Sequence, residues 1–260
     1  MTTLYPTIDH IYQIDCVPRF MWSYYPIYQQ NRRSPLPSNG KFWILDSGGF
    51  SFLKKFGKYP MSEVAYFKHA LSLNPNFIVS MDWMCEPNAI RKTGLSVKKH
   101  IENTVSSLWS ILNFVERKYG EIDNGASPLS ILPTIIGVIQ GWTIEDYLYC
   151  IGLLRDQGLI LPYMGVGTLC RRNSEKQIIR ILRTIKRELP GVKLHGFGIK
   201  TSVLKYPEAR ELLYSVDSAA WGHYCYNVSG KDAKAPILSE WYRKNDQLAQ
   251  PHPNQTKLFQ

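Results

Sequence analysis

The sequence predicts an α/β protein: a single-domain closed (β/α)8 barrel of the TIM type over residues 1–246, with a polar tail over 247–260. Three observations lead there. Short apolar runs alternate with segments of helical period about seven times, the pattern of a parallel sheet with helical crossovers. Nearly every apolar run ends on glycine or a polar residue. An open doubly wound sheet would gather such groups at one switch point, so their spread fits the carboxyl-terminal rim of a barrel. Finally, a chain of 260 residues, 44% hydrophobic, is enough for one large core, and no internal repeat, low-complexity tract or clear linker divides it.

In chain order, residues 8–15 alternate well enough for a first strand. An aromatic, proline-bearing segment runs to Tyr28, and residues 29–40, with Arg32, Arg33, Pro35, Pro37 and Gly40, read as a mobile basic loop. Residues 43–46 are a buried strand. Residues 61–73 carry Val64, Ala65, Phe67, Ala70, Leu71 and Leu73 at helical spacing, and Asn74-Pro75-Asn76 stops them. A strand over 77–81 ends on Asp82, a long helix covers 96–119, and 120–127 is a polar turn region. Next come a strand over 132–139 ending on Gln140-Gly141, a helix over 144–155, and a strand over 161–166 ending on Gly165-Val166-Gly167. The helix from Asn173 has a capping box, Ser174 with Gln177, and Pro190-Gly191 closes it. A strand over 193–197, a helix over 207–214 and a strand end over 215–221, holding Asp217, complete the alternation.

With 31 Lys and Arg against 21 acids, the net charge of +10 favours a polyanionic partner, nucleic acid first, over an acidic protein surface. The first twenty residues hold Asp9, His10, Asp15 and Pro18 without a continuous apolar core, and no run reaches 18 apolar residues. Neither a secretory signal nor a membrane anchor is therefore expected. Five widely spaced cysteines, an odd number, read as reduced thiols of a cytoplasmic protein and not as a disulfide framework.

The chemistry gathers at strand ends. In Trp43-Ile44-Leu45-Asp46-Ser47-Gly48-Gly49-Phe50 a buried run ends on an acid. Two glycines that permit close backbone approach follow, then an aromatic face for something planar, as a nucleobase pocket requires. The octet also reads as a strand followed by a capped helix. Together with Asp82, Gln140, Gly165 to Gly167, His195 to Gly198 and Asp217, it brings three carboxylates and a carboxamide to one mouth. Such groups serve as nucleophile, as general acid or base, or as acceptors for a base edge, and none of these roles needs a metal.

On these residues the chain resembles the queuine/archaeosine tRNA-guanine transglycosylase superfamily, most of all its short DNA-acting branch, the DpdA-type 7-deazaguanine DNA transglycosylases. The matching motifs are Asp46-Ser47-Gly48-Gly49-Phe50, Asp82, Val138-Ile139-Gln140-Gly141, Gly165-Val166-Gly167, Gly196-Phe197-Gly198 and Val216-Asp217-Ser218-Ala219-Ala220-Trp221, in the family's order across residues 43–221. The resemblance implies a pentosyltransferase that exchanges guanine in a polynucleotide for a free 7-deazaguanine base; the carboxylate chemistry itself calls for no cofactor. The resemblance makes Asp217 the nucleophile at the anomeric carbon and Asp46 the general acid and base. Asp82, Gln140 and the backbone of Gly165 and Gly167 read the base edge, with His195 and Gly196 beside it and Phe50 stacked on one face. This division parallels retaining glycoside chemistry, where one carboxylate attacks and a second moves the proton. A base that must leave its stack is repaid by an aromatic face and two acceptors.

The departures from the family also inform. The tRNA enzymes carry a zinc module of closely spaced cysteines and a histidine. Here only His223-Tyr224-Cys225 with His252 approaches it, and a core thiol beside unrelated histidines is the better reading, so no metal is expected. The chain also lacks their extra RNA-binding modules. Both absences favour DNA over tRNA as substrate. Exchange in tRNA and a non-catalytic nucleic-acid-binding barrel are the alternatives, the second opposed by intact Asp46 and Asp217. His195 stands where the tRNA enzymes place an apolar residue on the base; it forms that second face or bonds to a neighbouring loop.

Arg171 and Arg172 directly follow the Gly165-Val166-Gly167 strand end and are positioned for phosphates, with Arg32, Arg33, Arg91 and Lys92 in or beside rim loops. Lys176, Arg180, Arg183, Lys186 and Arg187 lie opposite their helix's apolar stripe and read as a solvated face. Six phosphate contacts would give a log–log salt slope of about −5 on duplex DNA. A homodimer or accessory proteins are compatible with the sequence, which specifies neither.

Overall fold

The computed structural model describes residues 2–120, 132–172 and 174–250. Among them, eight strands run parallel and pair in chain order: β1 (Thr3–Ile8), β2 (Arg19–Ser23), β3 (Phe42–Asp46), β4 (Phe77–Val79), β5 (Thr134–Ile139), β6 (Tyr163–Val166), β7 (Lys193–Gly196) and β8 (Ser215–Ser218). β8 returns to pair with β1, Tyr5 opposite Asp217, and the barrel is closed. Closure leaves no edge strand, so each ladder bond has a partner.

The helices around the barrel are α1 (Tyr24–Gln29), α2 (Gly49–Phe56), α3 (Glu63–Ser72), α4 (Pro87–Thr93), α5 (Val97–Tyr119), α6 (Ile144–Asp156), α7 (Glu175–Glu188), α8 (Pro207–Leu212), α9 (Trp221–Tyr224) and α10 (Lys231–Ala249). Their limits follow local chemistry. The hydroxyls of Ser62, Ser96, Thr143 and Ser174 accept the orphan amides that open α3, α5, α6 and α7. Gly57 and Gly94 close α2 and α4 in the left-handed conformation. In α7 the buried residues are Ile178, Ile179, Ile181, Leu182 and Ile185, one apolar stripe laid on the sheet.

The core has two shells. Tyr5, Met21, Ile44, Val79, Ile136, Val138 and Tyr163 plug the barrel interior, with Phe77 and Phe197 against them. A larger shell fills the space between strands and helices. In it the Trp43 and Phe20 rings stack at 5.7 Å, and both are buried.

Several elements differ from the sequence reading. The first strand is residues 3–8, not 8–15. Pro6 lies inside it, and a residue with no N–H to give a ladder argues against a central strand. Residues 11–16 form a 3-10 turn, held by Gln13 Oε1, which accepts the Asp9 and His10 amides. β2 and α10 were not foreseen, the first being five residues long and the second carrying Pro236 in its interior. α10 runs to Ala249, fully buried, whose carbonyl accepts the Thr2 amide, so residues 247–249 are helix. The rest of the foreseen tail, Asn173 and most of the 120–127 turn lie outside the described residues. The five cysteines are free thiols. Among the described residues no helix is long and apolar enough to cross a membrane.

Replacing Trp43 by Ala should cost about 3–5 kcal/mol, the range for removing a buried large aromatic. Chemical denaturation should show this as a lowered midpoint at unchanged slope.

Candidate active site at the barrel mouth

Side chains alternate along a strand, so the inner apolar layer identifies which residues look inward. Two positions past Tyr5, Met21, Ile44 and Val138 stand Thr7, Ser23, Asp46 and Gln140, and two past buried Ser215, which bonds inward-facing Tyr163, stands Asp217. An apolar plug thus carries a polar crown at the carboxyl ends of the strands. Asp82 joins it from the turn after β4, three residues past inward-facing Val79.

Asp217 is held from three sides. Its Oδ1 accepts the Gly198 amide at 2.8 Å and lies 3.3 Å from His195 Nε2, and its Oδ2 accepts the Thr7 hydroxyl at 2.8 Å. The His195 ring is fully buried below it, with Nδ1 2.7 Å from Ser215 Oγ. The Tyr163 hydroxyl bonds the same Ser215 oxygen. A neutral imidazole that donates to Asp217 from Nε2 accepts from Ser215 at Nδ1, and Tyr163 then donates to Ser215. His195 therefore does not reach the mouth: of its two sequence readings, the geometry gives the hydrogen-bonded one, underneath Asp217. Gly196 has the opposite parity and packs outward against Ile199 and Leu213. Phe197, two positions past His195, instead lies over inward-facing Gly165 and covers it. Gly165 is thus shielded from the mouth by an aromatic ring.

Asp46 is differently treated. Its Oδ2 accepts the Gly48 amide at 3.0 Å, and Ser23 offers a hydroxyl. Burial, then the nearby charges of Asp82 and Asp217, outweigh these donors and push its pKa up to about 7. At neutral pH it both holds and gives up a proton.

Burial also raises the pKa of Asp82, opposed by the hydrogen bonds from Ser47 and Gln140. Ser47 Oγ donates to Oδ1 at 2.7 Å and Gln140 Nε2 to Oδ2 at 2.6 Å. Gln140 is fully buried, so it grips Asp82 and does not face the mouth as expected. Its side chain lies against Gly167, where a Cβ would collide with the amide. Its Oε1 accepts from Thr168, a buried residue at φ +56°. A β-branched side chain in the left-handed region stores strain of order 1–3 kcal/mol. Gly49 likewise serves close packing within the protein: a Cβ would stand 2.7 Å from Tyr59 Oη and 2.8 Å from the Asp82 carbonyl oxygen. Gly48, at φ +76°, opens α2. The glycine pair therefore seats Asp82 beside Asp46, where the sequence had suggested approach to a ligand.

The basic residues divide sharply. Arg171 lies half-exposed with its guanidinium 5.0 Å over the Phe50 ring and 3.8 Å from the buried Glu86 carboxylate. Phe50, Lys54, Met84, Glu86, Lys92 and Arg171 line a cavity of about 330 Å³. Arg91, exposed on α4, bonds Asn88 beside it. Arg172, by contrast, is 3% exposed. It donates to the carbonyls of Thr168 and Trp142 and packs on the Trp142 and Tyr147 rings, which removes it from the phosphate-binding set. Arg32 and Arg33 belong to the segment between α1 and β3, where the Arg32 carbonyl lies 2.6 Å from His69 Nε2 and Arg33 borders a separate cavity with Tyr28, Ala65 and His69. Arg32 there donates to the Ser34 and Pro35 carbonyls. Among the α7 cations, Arg183 pairs with Glu208 and Lys186 donates to the Val192 carbonyl. On the far side of the acids a wider cavity of about 560 Å³ opens against Thr7, Ser23, Tyr25, Trp221 and Lys234.

Sequence reasoning missed Thr7, Ser23, Tyr59, Thr168 and Lys54, and gave Phe197, named within a strand-end motif, no role of its own. Two carried a signal: Lys54 is one helical turn past Phe50, and Phe197 sits between two glycines at a strand end. Among the described residues no three His, Cys, Asp or Glu side chains gather as metal ligands, and His252 falls outside them.

A family model described as DeoxyPurine in DNA protein A matches residues 13–238. No curated protein matches the chain.

The raised Asp46 pKa has a stability consequence. A carboxyl whose folded pKa, about 7, exceeds its ordinary value of 3.8 stabilises the fold fully below pH 3.8, and that contribution is lost as pH rises through 7. Asp46→Asn should therefore gain stability relative to wild type from pH 5 to pH 7 and level off above about pH 8. Thermal unfolding across that range checks it, and a pH-independent difference contradicts it.

Proposed function

The chain belongs to the DeoxyPurine in DNA protein A family, whose chemistry is DNA modification of the transglycosylase type, and we propose that it exchanges guanine in DNA for a free 7-deazaguanine base through an aspartyl-sugar intermediate. The observation that carries this reading is the pairing, in one inward layer, of an anchored carboxylate, Asp217, with a carboxyl poised near neutrality, Asp46. Environment assigns them different roles, as in glycoside chemistry.

In the first half, an Asp217 oxygen attacks C1′ of the target nucleotide as the bond from C1′ to guanine breaks, and Asp46 gives its proton to the departing base. Oδ2, held by the single Thr7 hydroxyl, is the oxygen to present to the sugar. In the second half, Asp46 takes a proton from the incoming 7-deazaguanine as its nitrogen attacks C1′ and expels Asp217. Protons and bonds balance between the two bases, so the cycle needs no cofactor. Asp82 meets the N–H edge of the base with its free lone pairs, with the Gly167 backbone beside it. Phe50 stacks on one face, and Phe197 is the aromatic nearest to serving the other. Arg171, Lys54, Arg91 and Lys92 hold the flanking phosphates. Four such contacts lower the expected salt slope to about −3.6.

The test is to incubate DNA and tRNA separately with the protein and a labelled 7-deazaguanine base, digest, and measure label in the nucleosides. Label belongs in DNA; label in tRNA alone would move the substrate to RNA, and label in neither pool, with folded protein, would overturn the enzyme reading. Asp217→Ala should abolish exchange while DNA binding stays within a few-fold. Guanine release should fall as pH rises through about 7, because it consumes the Asp46 proton, and incorporation should rise over the same interval. Arg171→Ala and Lys92→Ala should weaken DNA binding and flatten its salt dependence by about one unit of slope each. Arg33→Ala, outside the cavity formed by Phe50, Lys92 and Arg171, should do neither.

A further inference from the structure

We infer that Thr168 is the positioning residue that fixes the proton polarity of Asp82, and thereby selects a base edge carrying two N–H donors. The inference rests on the guanine-exchange reading and deepens it.

The polarity begins at two peptide amides. Cys85 N–H donates to Thr168 Oγ1 at 3.0 Å. A peptide N–H only donates, so the hydroxyl accepts there and keeps one proton to give, which Gln140 Oε1 receives at 2.6 Å. With its oxygen committed, the Gln140 amide turns Nε2 toward Asp82 Oδ2 at 2.6 Å. On the other side, Gly49 N–H donates to Ser47 Oγ at 3.2 Å, and Ser47 passes its own proton to Asp82 Oδ1 at 2.7 Å. The nearby Tyr59 hydroxyl gives its proton to the Asp82 main-chain carbonyl at 2.9 Å and takes none from the side chain. Both carboxylate oxygens thus receive donors, and what Asp82 shows the mouth is lone pairs alone. Guanine offers such a surface N1–H and a 2-amino group. Hypoxanthine offers N1–H only, and adenine presents an acceptor at N1.

Thr168 occupies a conformation that glycine would adopt without strain, at φ +56°. Arg172 Nε, on the Thr168 carbonyl at 3.2 Å, and the Tyr147 hydroxyl, on the Gly167 carbonyl at 2.8 Å, hold the turn in that shape. The hydroxyl is the feature that glycine lacks. Without it the Gln140 amide loses the donor that commits its oxygen, and only Asp82 is left to orient it. Turned over, its Oε1 would face Asp82 Oδ2, and that oxygen would have to take up a proton and become a donor.

The experiment measures equilibrium binding of free guanine and free hypoxanthine to wild type and to Thr168→Val, Thr168→Gly and Thr168→Ser. Wild type should prefer guanine by about tenfold or more, the value of one hydrogen bond to a charged acceptor. Thr168→Val and Thr168→Gly should bring the ratio within about threefold, mainly by weakening guanine, and Thr168→Ser should keep it. The glycine variant relieves the backbone strain that valine retains, so it reports on the hydroxyl without a folding penalty from the positive φ. A ratio unchanged in the valine and glycine variants, or lost in the serine variant, overturns the role of the hydroxyl while leaving guanine exchange standing. A wild type without preference overturns the guanine reading and this inference with it.

Discussion

The alternation of side chains along eight closed, parallel strands is the constraint on which the site depends. Inward positions come every second residue. Those low in the barrel must be apolar to fill it, and those one step higher meet the mouth, where polar groups find water or ligand. Tyr5, Met21, Ile44 and Val138 therefore dictate the direction of Thr7, Ser23, Asp46 and Gln140, and buried Ser215, bonded to inward-facing Tyr163, does the same for Asp217. Closing β8 onto β1 then brings Thr7 to Asp217, residues far apart in the chain, at hydrogen-bond distance. The outward parity of Gly196 follows from the same rule.

Three carboxylates crowded into one layer cannot all be treated alike, since like charges in a poorly solvated space raise one another's pKa. The protein distributes donors unequally. Asp82 receives side-chain donors on both oxygens, and Asp217 receives an amide and a hydroxyl above a buried imidazole. Asp46 has weaker support and absorbs the field of the other two, which brings it to about 7. Two acids are thereby held by hydrogen-bond donors and the third is left with a pKa of about 7. The strained turn at Thr168 and the close fit at Gly49 are where the fold stores the cost of the arrangement.

The barrel was legible because seven of its units repeat one pattern, and Asp46, Asp82 and Asp217 were legible because each ends an apolar run. Thr7 and Ser23 were hidden: Pro6 disguised β1, and β2 is five residues with three consecutive buried apolar ones, too short to announce a face. Charge told less than position. Arg171 and Arg172 are neighbours in sequence, yet one reaches the mouth and the other is enclosed by Trp142, Tyr147 and two carbonyls. Arg32 and Arg33 read as rim residues from sequence, yet their segment packs against α3 at His69 and Arg33 borders a different cavity from Phe50 and Arg171. Gln140 and His195, expected against a ligand, are fully buried and hydrogen-bond to Asp82 and Asp217 instead, because burial turns a group toward its protein neighbours.

The central claim, that the anchored carboxylate of this layer takes the sugar while the poised one moves the proton, is tested most directly by trapping the intermediate. The protein should be incubated with guanine-containing DNA in the absence of free base, denatured, digested with protease and nuclease, and mapped by peptide mass spectrometry. A deoxyribose-linked adduct should appear on the peptide containing Asp217 and be absent when Asp217 is Asn. An adduct on Asp46, or complete base exchange without any covalent species on the acids of the mouth, would contradict the claim.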